Sequence, residues 1–149
     1  MKLSESDVFN LDILSLFSFT QDFEKRLQWD LQTKAIGFLE GHTDLKKGAM
    51  VYTESIEGVR MDTEYLVFEP PYELSIIMQN KSRVFKTFIG TWKFSEVTNT
   101  TTELKIIYQF ELQFPFRLIA LFVHKRIHKN MRNKLIFLSD FLKTIDLTS

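Results

Sequence analysis

The chain has 149 residues, enough for one domain that buries roughly two-thirds of the surface of its unfolded chain. Its 19 basic side chains balance 19 acidic ones, which argues against nucleic acid as a partner, and the absence of cysteine excludes disulfides and thiolate chemistry. The first residues lack the apolar core of a signal peptide and no apolar run reaches the length of a membrane span, so we expect a cytoplasmic protein.

The N-terminal part is predicted to form one strand followed by two short helices. Residues 3–10 have the pattern of a strand, and Asn10 or Asp12 can cap a helix over residues 13–22. Residues 23–30 continue as a second short helix. We interpret Trp29 as a packing residue rather than a lid over a pocket, and Asp30 as a local cap.

Residues 31–113 are predicted to form an antiparallel sheet. The strand-like runs are 49–56, 59–68, 72–80, 83–97 and 101–113. Apolar residues alternate with polar ones along the last run, which is typical of a sheet with one covered face and one solvent face. Glu57-Gly58 indicates a hairpin turn. Pro70-Pro71 cannot donate backbone hydrogen bonds, so this pair is predicted to connect two strands of a meander.

One long amphipathic helix is predicted from Pro115 to Ile145. Its apolar residues recur at steps of three and four: 116, 119, 123, 127, 131, 135, 138, 142 and 145. A helix of about 30 residues is roughly 45 Å long, enough to cross a whole sheet. The element order predicts an α+β fold in which a curved antiparallel sheet wraps around the long C-terminal helix. A helix across a bent sheet leaves room for an apolar pocket.

Several segments occur in a characteristic order: 17–30, 63–74, 90–94 and 101–112, followed by the amphipathic helix. Together they resemble the START-like (SRPBCC) superfamily of helix-grip proteins, and within it the polyketide cyclase/dehydrase-like or lipid-transport-like subgroup. The resemblance covers nearly the whole chain and implies one START-like domain over residues 1–149. It also implies a cavity between sheet and helix that holds a hydrophobic small molecule, without a shared catalytic set.

Strand alternation and the apolar stripe of the helix predict which side chains line this cavity. In the run 59–68, one face carries Met61, Thr63, Tyr65 and Val67. In the run 83–97, one face carries Phe88, Gly90, Trp92 and Phe94. The predicted ligand-binding set is Tyr65, Met78, Phe88, Trp92, Tyr108, Phe122, Val123, Ile127 and Met131. Its tyrosines and tryptophan can orient a ligand through one polar group, or they are core aromatics. Gly90 is interpreted as a bulge that bends the sheet.

The sequence contains no recognisable catalytic motif: there is no glycine-rich phosphate loop, no Gly-x-Ser-x-Gly and no His-Glu-x-x-His. His124 and His128 are spaced as two ligands of one metal on a helix could be. No acidic residue lies between Glu111 and Asp140, however, so we interpret both histidines as part of a solvated basic face. We therefore expect no metal and no cofactor.

The same acid-free stretch carries six cations: Arg117, Lys125, Arg126, Lys129, Arg132 and Lys134. A basic amphipathic helix can dock on an anionic membrane surface. The neutral overall charge favours a different interpretation, in which these cations form the wet side of a packed helix and pair with acids from elsewhere in the chain.

The leading functional hypothesis is a monomer or homodimer that binds a lipid-like or aromatic molecule without transforming it. The alternative is a polyketide cyclase/dehydratase-like enzyme in which Tyr65, Tyr108 or a buried glutamate transfers a proton.

Overall fold

The structure, a computed structural model, describes residues 1–146. The strands are β1 (Lys2–Phe9), β2 (Thr33–Phe38), β3 (Met50–Ser55), β4 (Arg60–Glu69), β5 (Glu73–Met78), β6 (Phe85–Thr98) and β7 (Thr101–Leu112). The helices are α1 (Ile13–Gln21), α2 (Phe23–Trp29) and α3 (Ala120–Asp146), and a 3-10 turn (Phe116–Ile119) precedes α3. The strands form one antiparallel sheet in the order β1-β7-β6-β5-β4-β3-β2. The predicted helix-grip architecture is therefore confirmed.

Two aspartates set the boundaries of the short helices. Asp12 accepts a hydrogen bond from the backbone N–H of Ser15 at 3.1 Å and caps α1. Asp22 ends α1 and, at the same time, accepts from the backbone N–H of Lys25 at 3.1 Å to cap α2. Side-chain caps of this kind satisfy backbone donors that a helix start leaves free. The chain can therefore turn sharply between two helices without losing hydrogen bonds.

The predicted alternation holds along β6 and β7 but fails in β4. Pairing with β5 shifts register between Tyr65 and Val67, which places Val67 opposite Ser75 and Phe68 opposite Leu74. An extra residue at such a bulge reverses which face the following side chains occupy. Phe68, rather than Val67, therefore points inward, where its ring centroid lies 5.8 Å from that of Tyr65.

Pro70 and Pro71 lie in the turn between β4 and β5, as predicted. Neither residue has to donate to the sheet there, and the strands on each side pair directly from Glu69 and Glu73 onward. The hairpin between β3 and β4 turns at Glu57-Gly58, where Gly58 has a φ of 85° that suits glycine.

Helix α3 contacts the sheet through the predicted apolar stripe. Met131, Leu135 and Leu138 are buried, and Val123 and Ile127 are partly buried against the same core. The α-helix begins at Ala120 rather than at the predicted Pro115, because Phe116–Ile119 form the 3-10 turn. The last three residues of the proposed domain, 147–149, lie outside the described residues.

Replacing Leu138 by alanine tests the packing of α3, because this fully buried leucine anchors the C-terminal half of the helix. We expect the free energy of unfolding, measured by urea denaturation, to fall by about 2–5 kcal/mol. The matched control is Leu121→Ala on the same helix, where the side chain is 81% exposed. The control should change stability by no more than about 0.5 kcal/mol. Equal losses in the two variants would show that α3 is not held through this stripe.

Candidate ligand-binding site

A cavity of about 470 Å³ lies between the concave face of the sheet and α3. Small-molecule sites in proteins typically have volumes of about 300–1,000 Å³. Strands β2 to β7 form its floor, and the 3-10 turn and the first half of α3 form its roof. Its apolar lining comprises Ile36, Val51, Ile56, Val59, Met61, Leu74, Ile76, Val84, Phe85, Phe88, Trp92, Phe116, Ile119, Phe122, Val123 and Ile127. The space can therefore hold an apolar molecule of small to moderate size.

One row of paired residues crosses the floor of the cavity. Tyr65 pairs with Ile76, Ile76 with Gly90 and Gly90 with Tyr108, on four successive strands. The pairing register is regular through Gly90, so the prediction of a bulge at this residue is wrong. The register shifts of β6 lie near the two ends of the strand instead. A Cβ atom at Gly90 would lie 3.4 Å from the side chains of Ile76 and Tyr108. Gly90 thus allows these neighbouring side chains to pack closely over its backbone.

Aromatic rings form one wall of the cavity. The ring of Phe88 lies 4.9 Å from that of Tyr108 and 5.1 Å from that of Phe85, measured between centroids. Phe85 also contacts Phe110, with centroids 5.6 Å apart. Alternation alone places Phe85 and Phe88 on opposite faces, because they are three residues apart. The register shift between Phe85 and Thr87 turns both inward, and nothing in the sequence pattern indicated it.

A buried ion cluster lies at the α2 side of the cavity, centred on Asp30. Its Oδ2 atom accepts hydrogen bonds from Lys134 Nζ at 2.6 Å, Arg26 Nε at 2.8 Å and Thr33 Oγ1 at 2.9 Å. Its Oδ1 atom accepts from the backbone N–H of Gln32 at 3.2 Å. Asp30 is fully buried, and Lys134 is 7% exposed. One carboxylate therefore connects α2, the start of β2 and α3.

The charges of this cluster shift each other's pKa values. Burial raises the pKa of the Asp30 carboxyl, but the positive charges of Lys134 and Arg26 outweigh this effect and hold that pKa well below its usual range. Burial lowers the pKa of Lys134, while the carboxylate of Asp30 opposes that change. The cluster contains two cationic groups and one anionic group.

Lys134 corrects the interpretation of the basic helix. The sequence predicts this lysine among the cations on the wet side of α3, whereas the structure buries it against Asp30. The spacing along the helix could have predicted this burial. Residue 134 follows Ile127 by seven positions and Met131 by three, which places it on the apolar stripe. Asp30 is likewise more than a local cap. Trp29 is buried in the core, which confirms its interpretation as a packing residue.

Two tyrosines bring hydroxyl groups to the cavity. Tyr65 and Tyr108 both line it, and within residues 1–146 neither hydroxyl has a hydrogen-bond partner. Burial raises the pKa of Tyr65 to about 12, with the charge of Arg26 acting in the opposite direction, and burial likewise raises the pKa of Tyr108 to about 12. Both groups are therefore neutral phenols near pH 7 that can donate a hydrogen bond to a ligand.

The cavity brings together most of the side chains predicted from the sequence. Those lining it are Tyr65, Phe88, Trp92, Tyr108, Phe122, Val123 and Ile127. Met131 instead lies in the core with no exposed surface, and Met78 packs beside that core outside the lining. Sequence reasoning missed Phe85, Arg26 and Lys134. The missed cations come from elements that a strand-alternation argument does not include.

The other charged residues between 120 and 145 lie at least partly toward solvent. Arg126 pairs with Glu57 at 3.0 Å at the rim of the cavity, and His128 pairs with Glu5 of β1. Among the described residues, no group of three or more histidines and acids is arranged to hold a metal ion. None of the helices within residues 1–146 is long and apolar enough to cross a membrane.

Comparison with solved structures identifies the fold. A START superfamily protein from Mycobacterium smegmatis shares 14% identity over 95% of this chain and 98% of its own, with a TM-score of 0.75. The Zhui aromatase/cyclase from Streptomyces sp. R1128 shares 10% identity over 91% of both chains, with a TM-score of 0.72. The di-domain ARO/CYC BexL from the BE-7585A biosynthetic pathway shares 10% identity and has a TM-score of 0.78. The match covers 96% of this chain, which spans 46% of that di-domain protein.

These similarities show that the chain has the START-like helix-grip fold, which confirms the resemblance inferred from its sequence. Neither a protein-family model nor a curated protein matches the sequence. At such low identities the shared fold does not by itself assign an activity.

Replacing Asp30 by asparagine tests the ion cluster. Removal of one partner from a buried pair typically costs about 3–5 kcal/mol, because the remaining charge is left without compensation. We therefore expect a large loss of unfolding free energy in urea at neutral pH. The control is Asp62→Asn, which removes a carboxylate from an exposed pair with Arg60 and should change stability little.

The pH dependence of the same variant follows from the depressed pKa. A carboxyl whose pKa is lower in the folded state stabilises the protein above its unfolded value of 3.8, and that contribution is lost as the pH falls toward the folded value. The stability difference between wild type and Asp30→Asn should therefore shrink below pH 3.8. A difference that stays constant on acidification would contradict the assigned charge state.

Proposed function

We propose that this chain binds a hydrophobic small molecule, lipid-like or aromatic, in the cavity between the sheet and α3, without transforming it. The observation that supports this most directly is the cavity of about 470 Å³ with its aromatic and aliphatic lining. Burial of apolar surface contributes about 25 cal/mol per Å², so a ligand that fills such a space gains affinity without specific polar contacts. The START superfamily protein among its structural relatives is consistent with this proposal.

The rim of the cavity provides a route for entry. Ile56 and Val59 of the β3–β4 hairpin face Ile119 and Phe122 at the start of α3, and all four side chains line the cavity while remaining exposed. A ligand can therefore pass between the hairpin and the helix without disrupting the buried part of α3. The apolar rim also lowers the free energy cost of the first contact.

The acids near the cavity favour binding without chemistry. Glu54 and Glu57 lie at the rim, where they pair with Lys34 at 3.9 Å and Arg126 at 3.0 Å. Asp30 already accepts three charged or polar donors and one backbone N–H. Among residues 1–146, the cavity thus has no carboxylate that is both buried and free to abstract a proton.

An enzyme of the cyclase or dehydratase kind is the second candidate. Two structural relatives are described as ARO/CYC or aromatase/cyclase, and the hydroxyls of Tyr65 and Tyr108 are unpartnered in the described chain. Neutral phenols can polarise a carbonyl oxygen by hydrogen bonding, but with pKa values of about 12 they are poor bases at neutral pH. Native mass spectrometry separates the two candidates by the mass of the co-purified ligand. A carrier should release this ligand with its mass unchanged after repeated incubation with the protein, whereas an enzyme should change that mass.

The proposal extends to three features expected from the sequence. The binding unit is one START-like domain over residues 1–149, it acts as a monomer or homodimer, and it acts in the cytoplasm. Size-exclusion chromatography with light scattering measures the oligomeric state directly.

Ile127→Trp tests the proposed site, because Ile127 lines the cavity from α3. The indole should enter the cavity and abolish binding of the neutral fluorescent probe N-phenyl-1-naphthylamine, with little change in melting temperature. In a core without a cavity the same substitution would cost about 1–3 kcal/mol through overpacking. Ile136→Trp is the control, since Ile136 lies on α3 outside the cavity and is 48% exposed. An early-melting Ile127→Trp variant, together with a wild type that never binds the probe, would refute the proposal.

A further inference from the structure

The inner part of the cavity carries an uncompensated positive charge. Arg26 and Lys134 both line it, and the only buried carboxylate near them among residues 1–146 is that of Asp30. The other acids of the lining, Glu54 and Glu57, lie at the rim with their own basic partners. Buried charges are normally paired, so an excess cation beside an apolar cavity requires an explanation.

The guanidinium of Arg26 is fixed in position but has N–H groups that donate no hydrogen bond within residues 1–146. Its Nε atom binds Asp30, and its Cζ atom lies 5.1 Å from the ring centroid of Trp92 and 5.6 Å from that of Trp29. Within residues 1–146, its two terminal amino groups donate no hydrogen bond. The side chain is 16% exposed, and the group therefore lies next to the cavity with its orientation set by the aromatic rings.

Unpartnered hydroxyl groups line the same space. Tyr65 is 5% exposed and Tyr108 partly buried, and neither hydroxyl has a partner in the described chain. Both hydroxyl oxygens remain accessible beside the cavity, so a ligand atom there can accept a hydrogen bond from each. A guanidinium, an ammonium and phenolic donors are together suited to a carboxylate, which accepts several hydrogen bonds.

We infer that the ligand is an apolar molecule with one carboxylate, which lies against Arg26 and Lys134 while the hydrocarbon part fills the aromatic end of the cavity. This inference rests on the proposed binding function and specifies its ligand class. A carboxylate at this point would bring the cluster to two positive and two negative charges. A neutral lipid of the same length would leave the excess charge in place.

Dodecanoate and 1-dodecanol are matched ligands for the test, since they share a chain and differ in the charge of the head group. Each ligand is titrated into protein that carries bound N-phenyl-1-naphthylamine, and displacement of the probe is measured. The pH is kept above the pKa of the dodecanoate carboxyl, so that this ligand is ionised. We expect wild type to prefer the acid by about tenfold or more, as charge-assisted hydrogen bonds are roughly twice as strong as neutral ones. Arg26→Met should reduce that preference to about threefold or less while leaving the affinity for the alcohol unchanged.

Two control variants distinguish charge from packing. Arg26→Lys keeps a cation and should retain a preference for the acid, whereas Lys143→Met removes an exposed cation of α3 outside the cavity and should leave the preference as in wild type. If the probe binds and both ligands displace it equally well, the inference is wrong while the proposed function stands. If the probe does not bind at all, the proposed function itself fails. If Arg26→Met does not fold, the wild-type ratio and Arg26→Lys still decide the outcome.

A separate observation concerns the outer surface at the start of α3. Five large apolar side chains in a nine-residue stretch are at least half exposed: Phe114 70%, Leu118 74%, Ile119 50%, Leu121 81% and Phe122 65%. Of these five, the sequence pattern places Ile119 on the apolar stripe of the helix and Phe122 in the predicted ligand-binding set. Exposed apolar groups of this size and density mark an interaction surface.

The charges around this patch select its partner. Arg117, Lys125, Lys129 and Arg132 lie on the same segment, which has no acid between Glu111 and Asp140, and within residues 1–146 none of the four is in an ion pair. A symmetric dimer through this patch would bring like charges together, because both subunits contribute the same surface. We propose that the patch docks on an anionic membrane surface, with the apolar side chains in the interface and the cations among the lipid head groups.

Sedimentation with lipid vesicles tests this docking. The protein should sediment with vesicles that contain phosphatidylglycerol, less with phosphatidylcholine alone, and less again at high salt, because the Debye length falls from about 10 Å at 0.1 M to about 3 Å at 1 M. Leu118→Ser/Leu121→Ser should abolish the effect, while Ile136→Ser on the same helix should not. Sedimentation that is absent, or equal for both lipids, would overturn the proposal. So would a dimer that loses its affinity in the Leu118→Ser/Leu121→Ser variant.

Discussion

The carboxylate of Asp30 is the contact on which the position of α3 over the sheet depends. Strand pairing defines the sheet, whereas within residues 1–146 α3 makes no backbone hydrogen bond to it. Asp30 binds Lys134 of α3 and Arg26 of α2 through one oxygen atom, deep beneath the surface. Because displacement of either cation would leave a charge unpaired in the interior, the helix cannot slide without a large loss of free energy. The ion cluster thereby fixes α3 against α2 and the start of β2.

This arrangement also explains how a protein of this size keeps an unfilled space. On both sides of Lys134 along α3, Met131, Leu135 and Leu138 are buried in the core. Toward the start of the helix the contact loosens, and Val123 and Ile127 are only partly buried. The stability of the C-terminal half of α3 thus supports an N-terminal half that packs less densely. The same division places the most exposed apolar residues beside the entrance of the cavity.

Structural features that follow a regular spacing of apolar residues could be predicted from the sequence. Features that interrupt this spacing could not. Burial of one face imposes alternation on β7 and a stripe on α3, so Leu104, Ile106 and Met131 were predictable as inward residues. Bulges reverse which face the following side chains occupy, and no distinctive residue type marks them. This is why Val67 was assigned to the wrong face and Phe85 was missed. The pairing of Asp30 with Lys134 spans 104 positions, and no local pattern connects residues that far apart.

Gly90 lies in the middle of the row from Tyr65 to Tyr108, and its backbone has no conformation that requires glycine. A Cβ atom there would lie 3.4 to 3.5 Å from the side chains of Ile76, Tyr108 and Phe88. Alanine would therefore fit in ordinary contact, whereas valine or leucine would have to push these three side chains aside. The spacing of the rings along the aromatic wall thus depends on one missing side chain, and this position tolerates the addition of a single methyl group and no more.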